Sequence, residues 1–334
     1  MTAVAVLGSG SFGSALAKVL ADQGNATRMW TRDDAHARVI NDTRKNERYL
    51  GDLTFPSELE ATADIAAAVD GAELVLFVVP SHATRSVAEA ARAHISDDAL
   101  LCCATKGIEN DSLMLMSEVM TDVFGADASP RMTYFSGPSF AREIAAGVPT
   151  AVTVAGERKE AAERVQQEFA TANLRMYYTE DVVGVEVGGA LKNVVAIAAG
   201  AADGLGFGLN TRAALITRGL AEITRLAAKK GANPLTMAGL AGMGDLLLTC
   251  TGSLSRNRTV GFELGKGRTL PEILASLGQV AEGVKTTKSA FELGAKLGVP
   301  MPITDAVYRV LYEDKPAREA VRDLMTRPLK HEQR

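Results

Sequence analysis

Short, largely apolar runs punctuate the first half of the chain, and helical spacing of apolar positions replaces them in the second. Residues 3–7, 27–31, 74–79, 99–104, 132–135 and 150–154 predict strands, the last closing the series. Residues 14–24, with Gly24 as a C-terminal stop, and 157–172 predict helices. Such alternation suits a parallel sheet covered by helices. Beyond residue 181 the β-rich pattern fades, and stretches such as 212–230 and 290–297 place apolar residues at helical intervals. The change divides the chain into an α/β unit over 1–180 and an all-α unit over 181–334. Two domains are the expectation for 334 residues.

The most apolar stretch carries its own exceptions. Residues 182–202 read VVGVEVGGALKNVVAIAAGAA, polar only at Glu186, Lys192 and Asn193. Four glycines and two charges argue against a membrane span. A lysine here either snorkels to solvent or is buried with a partner, because an isolated buried ammonium costs on the order of several kcal/mol. A buried lysine also shifts its pKa readily, which suits proton transfer near neutral pH.

The first predicted strand runs into Gly8-Ser9-Gly10-Ser11-Phe12-Gly13, then a helix and a second strand. That context turns a weak GxGxxG match into a specific one. Gly8 permits the tight turn, Gly10 lets backbone approach a pyrophosphate, and Gly13 lets helix and strand pack closely. Free N–H groups at the helix start would hold the diphosphate. The expected fold is therefore an N-terminal Rossmann-like doubly wound sheet followed by an all-α C-terminal domain. The second strand ends at Thr31-Arg32-Asp33-Asp34, mixing acidic and basic signals. Arg32 comes first, which favours the 2′-phosphate of NADPH while tolerating NADH. Later strands end at Pro80-Ser81-His82, Thr105-Lys106-Gly107 and Ser136-Gly137-Pro138, where a doubly wound sheet places its ligand. Pro138 reads as an early position of a helix.

Net charge is −4 with both signs interspersed, so no basic field invites nucleic acid. An anionic substrate would need local basic residues. Cys102, Cys103 and Cys250 fit no zinc spacing, and neighbours in a strand point apart, so reduced thiols in a cytoplasmic protein are expected. The N-terminus lacks a basic leader, so no signal peptide is expected. In the second half, Asp245 follows the glycines of GMGDL and is either a helix N-cap or a partner for Lys192. Ser255-Arg256-Asn257 is either a solvated basic loop or a set of donors suited to phosphate oxygens.

Taken in order, GSGSFG at 8–13, VVPSH at 78–82, ATKG at 104–107, SGPSFA at 136–141, GALKN at 189–193, GFG at 206–208, GMGDL at 242–246 and SRNR at 255–258 resemble NAD(P)-dependent glycerol-3-phosphate dehydrogenases of the bacterial type. Residues 279–283, QVAEG, look like a further family element. The resemblance covers nearly the whole chain. It implies reversible reduction of dihydroxyacetone phosphate to sn-glycerol 3-phosphate for phospholipid synthesis, with no metal. It implies Lys192 as proton donor and acceptor, with Lys106, Asp245 and Asn193 around the reacting oxygens. Gly137, Ser139, Ser255, Arg256 and Asn257 are the implied substrate contacts. Ser11, Phe12, Arg32, Lys106, Ala141, Arg256, Val280 and Glu282 are the implied cofactor contacts. A homodimer through the helical half is compatible with the pattern. The competing readings are a lysine-dependent hydroxy-acid dehydrogenase, a mechanism through His82, and a nucleotide sensor without turnover.

Overall fold

Alternation along the first strand divides the N-terminal half into two cores. Val4 and Val6 face one apolar cluster, while Ala5 and Leu7 face another across the sheet. The computed structural model describes residues 1–278, 280–329 and 331–332; Gln279 of the QVAEG element lies outside them. Eight strands form one sheet: β1 Ala3–Leu7, β2 Ala26–Trp30, β3 Leu59–Thr62, β4 Leu74–Phe77, β5 Leu100–Cys103, β6 Met132–Ser136, β7 Thr150–Ala155 and β8 Leu174–Thr179. Their order is β3-β2-β1-β4-β5-β6-β7-β8. The six strands from β3 to β6 are parallel, β7 runs against β6, and β8 runs parallel to β7. The sheet is therefore doubly wound, with the order turning outward from β1 in both directions.

Three expectations need correction. The run at 150–154 is not the last strand, because β8 follows it at the sheet edge. Its sequence, LRMYYT, buries Leu174 and Met176 and leaves the intervening positions exposed, so it lacks the continuous apolar run of a central strand. The four-residue edge strand β3 escaped for the same reason. Pro138 does not open a helix, since the short helix begins at Ala141 and residues 137–140 form a loop. Gly137 takes φ +129 there, and a Cβ would crowd Val152 of β7. The helix expected over 157–172 is shorter, Lys159–Phe169.

From Val182 onward the described chain is helical, built around the central helix Val182–Gly204. This helix alone among the described residues is long and apolar enough to cross a membrane, and 89% of its apolar window is buried within the protein. Helices Leu209–Lys229, Asp245–Thr251, Arg256–Gly265 and Glu282–Leu297 pack around it. Glycine governs its approach to Arg256–Gly265. A Cβ on Gly200 or Gly204 would strike the carbonyl oxygens of Arg258 or Phe262. One on Gly261 or Gly265 would strike those of Ile197 or Ala201. The two backbones thus touch along a full turn, which only glycine allows. Cys102 and Cys103 point into opposite cores and burial pushes both thiols up to about 12.

Candidate active site

The carboxyl ends of the parallel strands open onto a cleft of about 1210 Å³ between the sheet and the helices. At its N-terminal wall the glycine loop takes the shape its sequence requires. Gly8 has φ +128 with Val78 carbonyl oxygen where a Cβ would sit, and a Cβ on Gly13 would strike the Gly8 carbonyl. Gly10 meets nothing within 4 Å, so open space lies over it on the cleft side. Helix Ser11–Asp22 begins there with no side-chain cap and no acidic residue in its first turn. Its exposed N–H groups suit a dinucleotide diphosphate, and the residues fit an NAD(P) cofactor. At the end of β2 both Arg32 and Asp33 line the cleft. Asp33 caps the following helix by accepting from the backbone N–H of Ala35 (3.0 Å) and His36 (3.3 Å). Arg32 is exposed on the cleft.

Opposite this wall lies a lysine–aspartate–lysine array. Lys192, in the middle of the central helix, is only 7% exposed, and Asp245 is 1% exposed. Lys192 Nζ donates to Asp245 Oδ1, and Lys106 Nζ donates to Asp245 Oδ2 at 2.8 Å. Asp245 is the first residue of its helix, but its side chain turns to the lysines and caps no backbone N–H. The preceding turn, Leu240–Gly244, is a π-helical bulge, a distortion that recurs at functional sites. Lys106 also donates to the Gly137 carbonyl at 3.2 Å and Ser139 Oγ at 3.4 Å, and stands 5.7 Å from the centre of the Phe12 ring. Phe12 is held edge-on by Phe135, centroids 5.5 Å apart. A single set of contacts therefore joins the glycine loop to the buried pair.

Electrostatics set the protonation states. Burial brings the Lys192 ammonium down to about 7, against the opposing pull of Asp245, and Lys106 adds repulsion. Burial alone would raise Asp245, but the two ammoniums beside it hold its carboxyl below the usual range. Lys192 thus carries a proton it can give up near neutral pH.

The remaining expected residues surround this array. Asn257 Nδ2 donates to Asn193 Oδ1 at 2.9 Å, and Asn257 Oδ1 accepts from the Gly283 N–H at 2.9 Å. Ser255 caps helix Arg256–Gly265 by accepting from the Arg258 N–H, at 3.2 Å. Arg256 lines the cleft, its pKa lowered by burial, with Glu282 opposing the shift. Glu282 accepts from Ser81 Oγ at 3.0 Å, and Ala141 and Val280 complete the lining. Gly13, Gly137 and Asp245 stand behind the cleft surface. Thr249 was missed by sequence reasoning. It lines the cleft and donates to the Asp245 carbonyl at 2.6 Å, a role its spacing four residues after Asp245 on one helix face would have suggested. Arg48, Tyr49 and His36 also line the cleft, and no local signal marked them. His82 lies in the cleft too, but burial and then the cations Lys285 and Arg32 lower its pKa, the reverse of a histidine oriented by a carboxylate.

A dinucleotide loop facing a buried, partnered lysine across one cleft defines a Rossmann-class dehydrogenase. The chain belongs to the NAD-dependent glycerol-3-phosphate dehydrogenase family. The models of that family's N-terminus and C-terminus match residues 3–162 and 181–322. The chain is 55% identical over 327 residues to glycerol-3-phosphate dehydrogenase [NAD(P)+] of Anaeromyxobacter dehalogenans, covering 98% of each. It is 52% identical over 329 residues to that of Leptospira biflexa, covering 98% of this chain and 99% of the relative. The crystal structure of glycerol-3-phosphate dehydrogenase from Coxiella burnetii superposes with a TM-score of 0.93 at 39% identity, covering 98% of this chain and 99% of that one.

Proposed function

We propose that the chain reduces dihydroxyacetone phosphate to sn-glycerol 3-phosphate, reversibly, with Lys192 as the proton donor and acceptor. The observation that carries this is the buried Lys192–Asp245–Lys106 array at a cleft that also holds a dinucleotide loop. Gly8, Gly10, Ser11, Phe12, Gly13, Arg32, Ala141, Val280 and Glu282 would hold a nicotinamide cofactor, which would supply hydride chemistry there. Lys192 Nζ gives its proton to the C2 oxygen as negative charge develops there, and its own charge stabilises that oxygen beforehand. Asp245 orients Lys192 and shares its charge with Lys106, so neither ammonium is isolated. Lys106, Gly137, Ser139 and Asn193 fix the hydroxyl and carbonyl positions. Ser255, Arg256 and Asn257, at the N-terminus of helix Arg256–Gly265, anchor the phosphate, and binding energy from that non-reacting group positions the carbonyl.

The proposed boundary between cofactor and substrate units is at residues 180/181, between β8 and the central helix. The proposed setting is the cytoplasm, feeding glycerophospholipid synthesis. A homodimer through the helical half belongs to the same proposal.

The lysine assignment has a signed pH dependence. With Lys192 at about 7, kcat/KM for carbonyl reduction should fall by about tenfold per pH unit above that value, because the donor is lost. Oxidation of glycerol 3-phosphate needs the neutral amine and should rise through the same pH. Profiles measured in both directions test this; two limbs of the same sign would refute the role.

Cofactor preference has its own test. Because Asp33 is spent as a helix cap, Arg32 is the residue left to meet a 2′-phosphate. Arg32→Ala is expected to weaken NADPH by about tenfold and NADH by less than about twofold, read by fluorescence titration. An unchanged NADPH/NADH ratio would overturn the reading.

A further inference from the structure

The central helix carries three charged residues, and the chemistry above uses only one of them, Lys192. Asp203 sits at its last turn, where the negative end of the helix dipole makes a carboxylate unfavourable. It persists because two guanidiniums enclose it. Arg212 donates through Nε (3.0 Å) and an Nη (2.7 Å) to Oδ1, and Arg258 donates through Nε (3.1 Å) and an Nη (2.7 Å) to Oδ2. Both are two-donor contacts to a carboxylate that is almost completely buried. The turn at GFG makes the geometry possible: Gly206, at φ +81, reverses the chain so that Arg212 returns to Asp203.

Arg258 belongs to the first turn of the helix that opens with Ser255-Arg256-Asn257. Two arginines and no acid in a first turn run against the helix dipole, so this arrangement sacrifices helix stability. Arg256 faces the cleft, whereas Arg258 is neutralised by Asp203 on the far side. Its backbone N–H is meanwhile the donor that Ser255 caps. Asp203 thus fixes Arg258, Arg258 fixes the Ser255 cap, and the cap sets where Arg256 and Asn257 project.

We propose that Asp203 is a positioning residue for phosphate recognition, tying the Ser255-Arg256-Asn257 turn to the lysine-bearing helix through Arg258. It touches neither substrate nor cofactor. The inference rests on the phosphate role given above to that turn, and it predicts an effect confined to the phosphorylated substrate. A loosened turn binds phosphate less well, while Lys192 and Asp245, eleven or more residues from Asp203 along the chain, keep their pairing.

The test compares dihydroxyacetone phosphate with unphosphorylated dihydroxyacetone in the full-length enzyme. Asp203→Asn should lower kcat/KM for the phosphorylated substrate by about tenfold, chiefly through KM, and change it for dihydroxyacetone by less than about twofold. The NADPH dissociation constant, read by fluorescence, should also change less than about twofold. Arg258→Ala should reproduce this split and Arg258→Lys, which keeps a cation but not the fork, should restore part of the loss. Should Asp203→Asn fail to fold, the Arg258 pair carries the test alone. Equal losses with both substrates, or no loss with either, would overturn the inference. Arg256→Ala separates the two layers: a phosphate-specific loss there with none at Asp203 and Arg258 removes only the positioning role. If Arg256→Ala shows no phosphate-specific loss, the phosphate site itself is misassigned.

Discussion

Lys192→Ala is expected to lower turnover of dihydroxyacetone phosphate by about 10⁴-fold or more while changing the NADPH dissociation constant less than about threefold. Two contributions vanish together. Loss of a general acid costs about 10² to 10⁴ in rate, and loss of a preorganised charge at the developing oxyanion costs about 3 kcal/mol more. Binding of the cofactor should survive because the proposed diphosphate cradle, Gly8 to Gly13, is built on the loop between β1 and helix Ser11–Asp22, whereas Lys192 is engaged by Asp245. Methionine at 192 is the companion variant, since it keeps most of the buried volume and leaves Asp245 paired with Lys106 alone. Steady-state rates with dissociation constants from fluorescence decide the matter. Residual activity within about tenfold of the parent in both variants would exclude Lys192 as the proton donor.

Asp245→Asn is expected to have the next largest effect, about 10²- to 10³-fold on reduction at neutral pH, and to change the pH profile as well as its height. Removing one member of a buried ion pair typically costs about 3–5 kcal/mol when the other charge is stranded. Here Lys192 has a way out: without the carboxylate it releases its proton, because burial and Lys106 both already disfavour the charge. The descending limb of reduction should therefore move to lower pH, and the deficit should shrink as the assay pH is lowered. A purely structural defect would depress the rate by the same factor at every pH. That outcome, or a limb that moves upward, would refute the orienting role.

The parts of this protein that could be read from sequence are those in which one physical demand dominates a short stretch. The apolar runs of β1, β4 and β5 are buried on both faces, and nothing but a central parallel strand suits them. Lys192 could be singled out because an ammonium among valines, alanines and glycines needs a reason. Its carboxylate partner lay 53 residues further on, where the sequence left Asp245 open between a helix cap and a partner for Lys192. The strands β3 and β8 were harder, because edge strands alternate weakly and their burial is decided by the neighbour they join. The loop at Pro138 was misread because proline favours helix starts in general, whereas here Gly137 takes φ +129 beside Val152 and the helix begins only at Ala141. The Asp203–Arg258 contact depends on helices brought together in space, which no local window reveals, whereas the spacing of Thr249 from Asp245 on one helix was available and went unread.

The glycine-to-glycine approach of Gly200 and Gly204 to Gly261 and Gly265 has a consequence for selectivity by length. Lys192 lies eight residues before Gly200 on one helix, and the proposed phosphate anchor begins six residues before Gly261 on the other. Because main chain meets main chain between them, neither helix can slide to suit a longer or shorter molecule without prying the pair apart. The span from Lys192 to the proposed anchor behaves as a fixed gauge. On the proposed roles, a homologue of the triose phosphate with one more methylene should have to give up either the anchor or the proton.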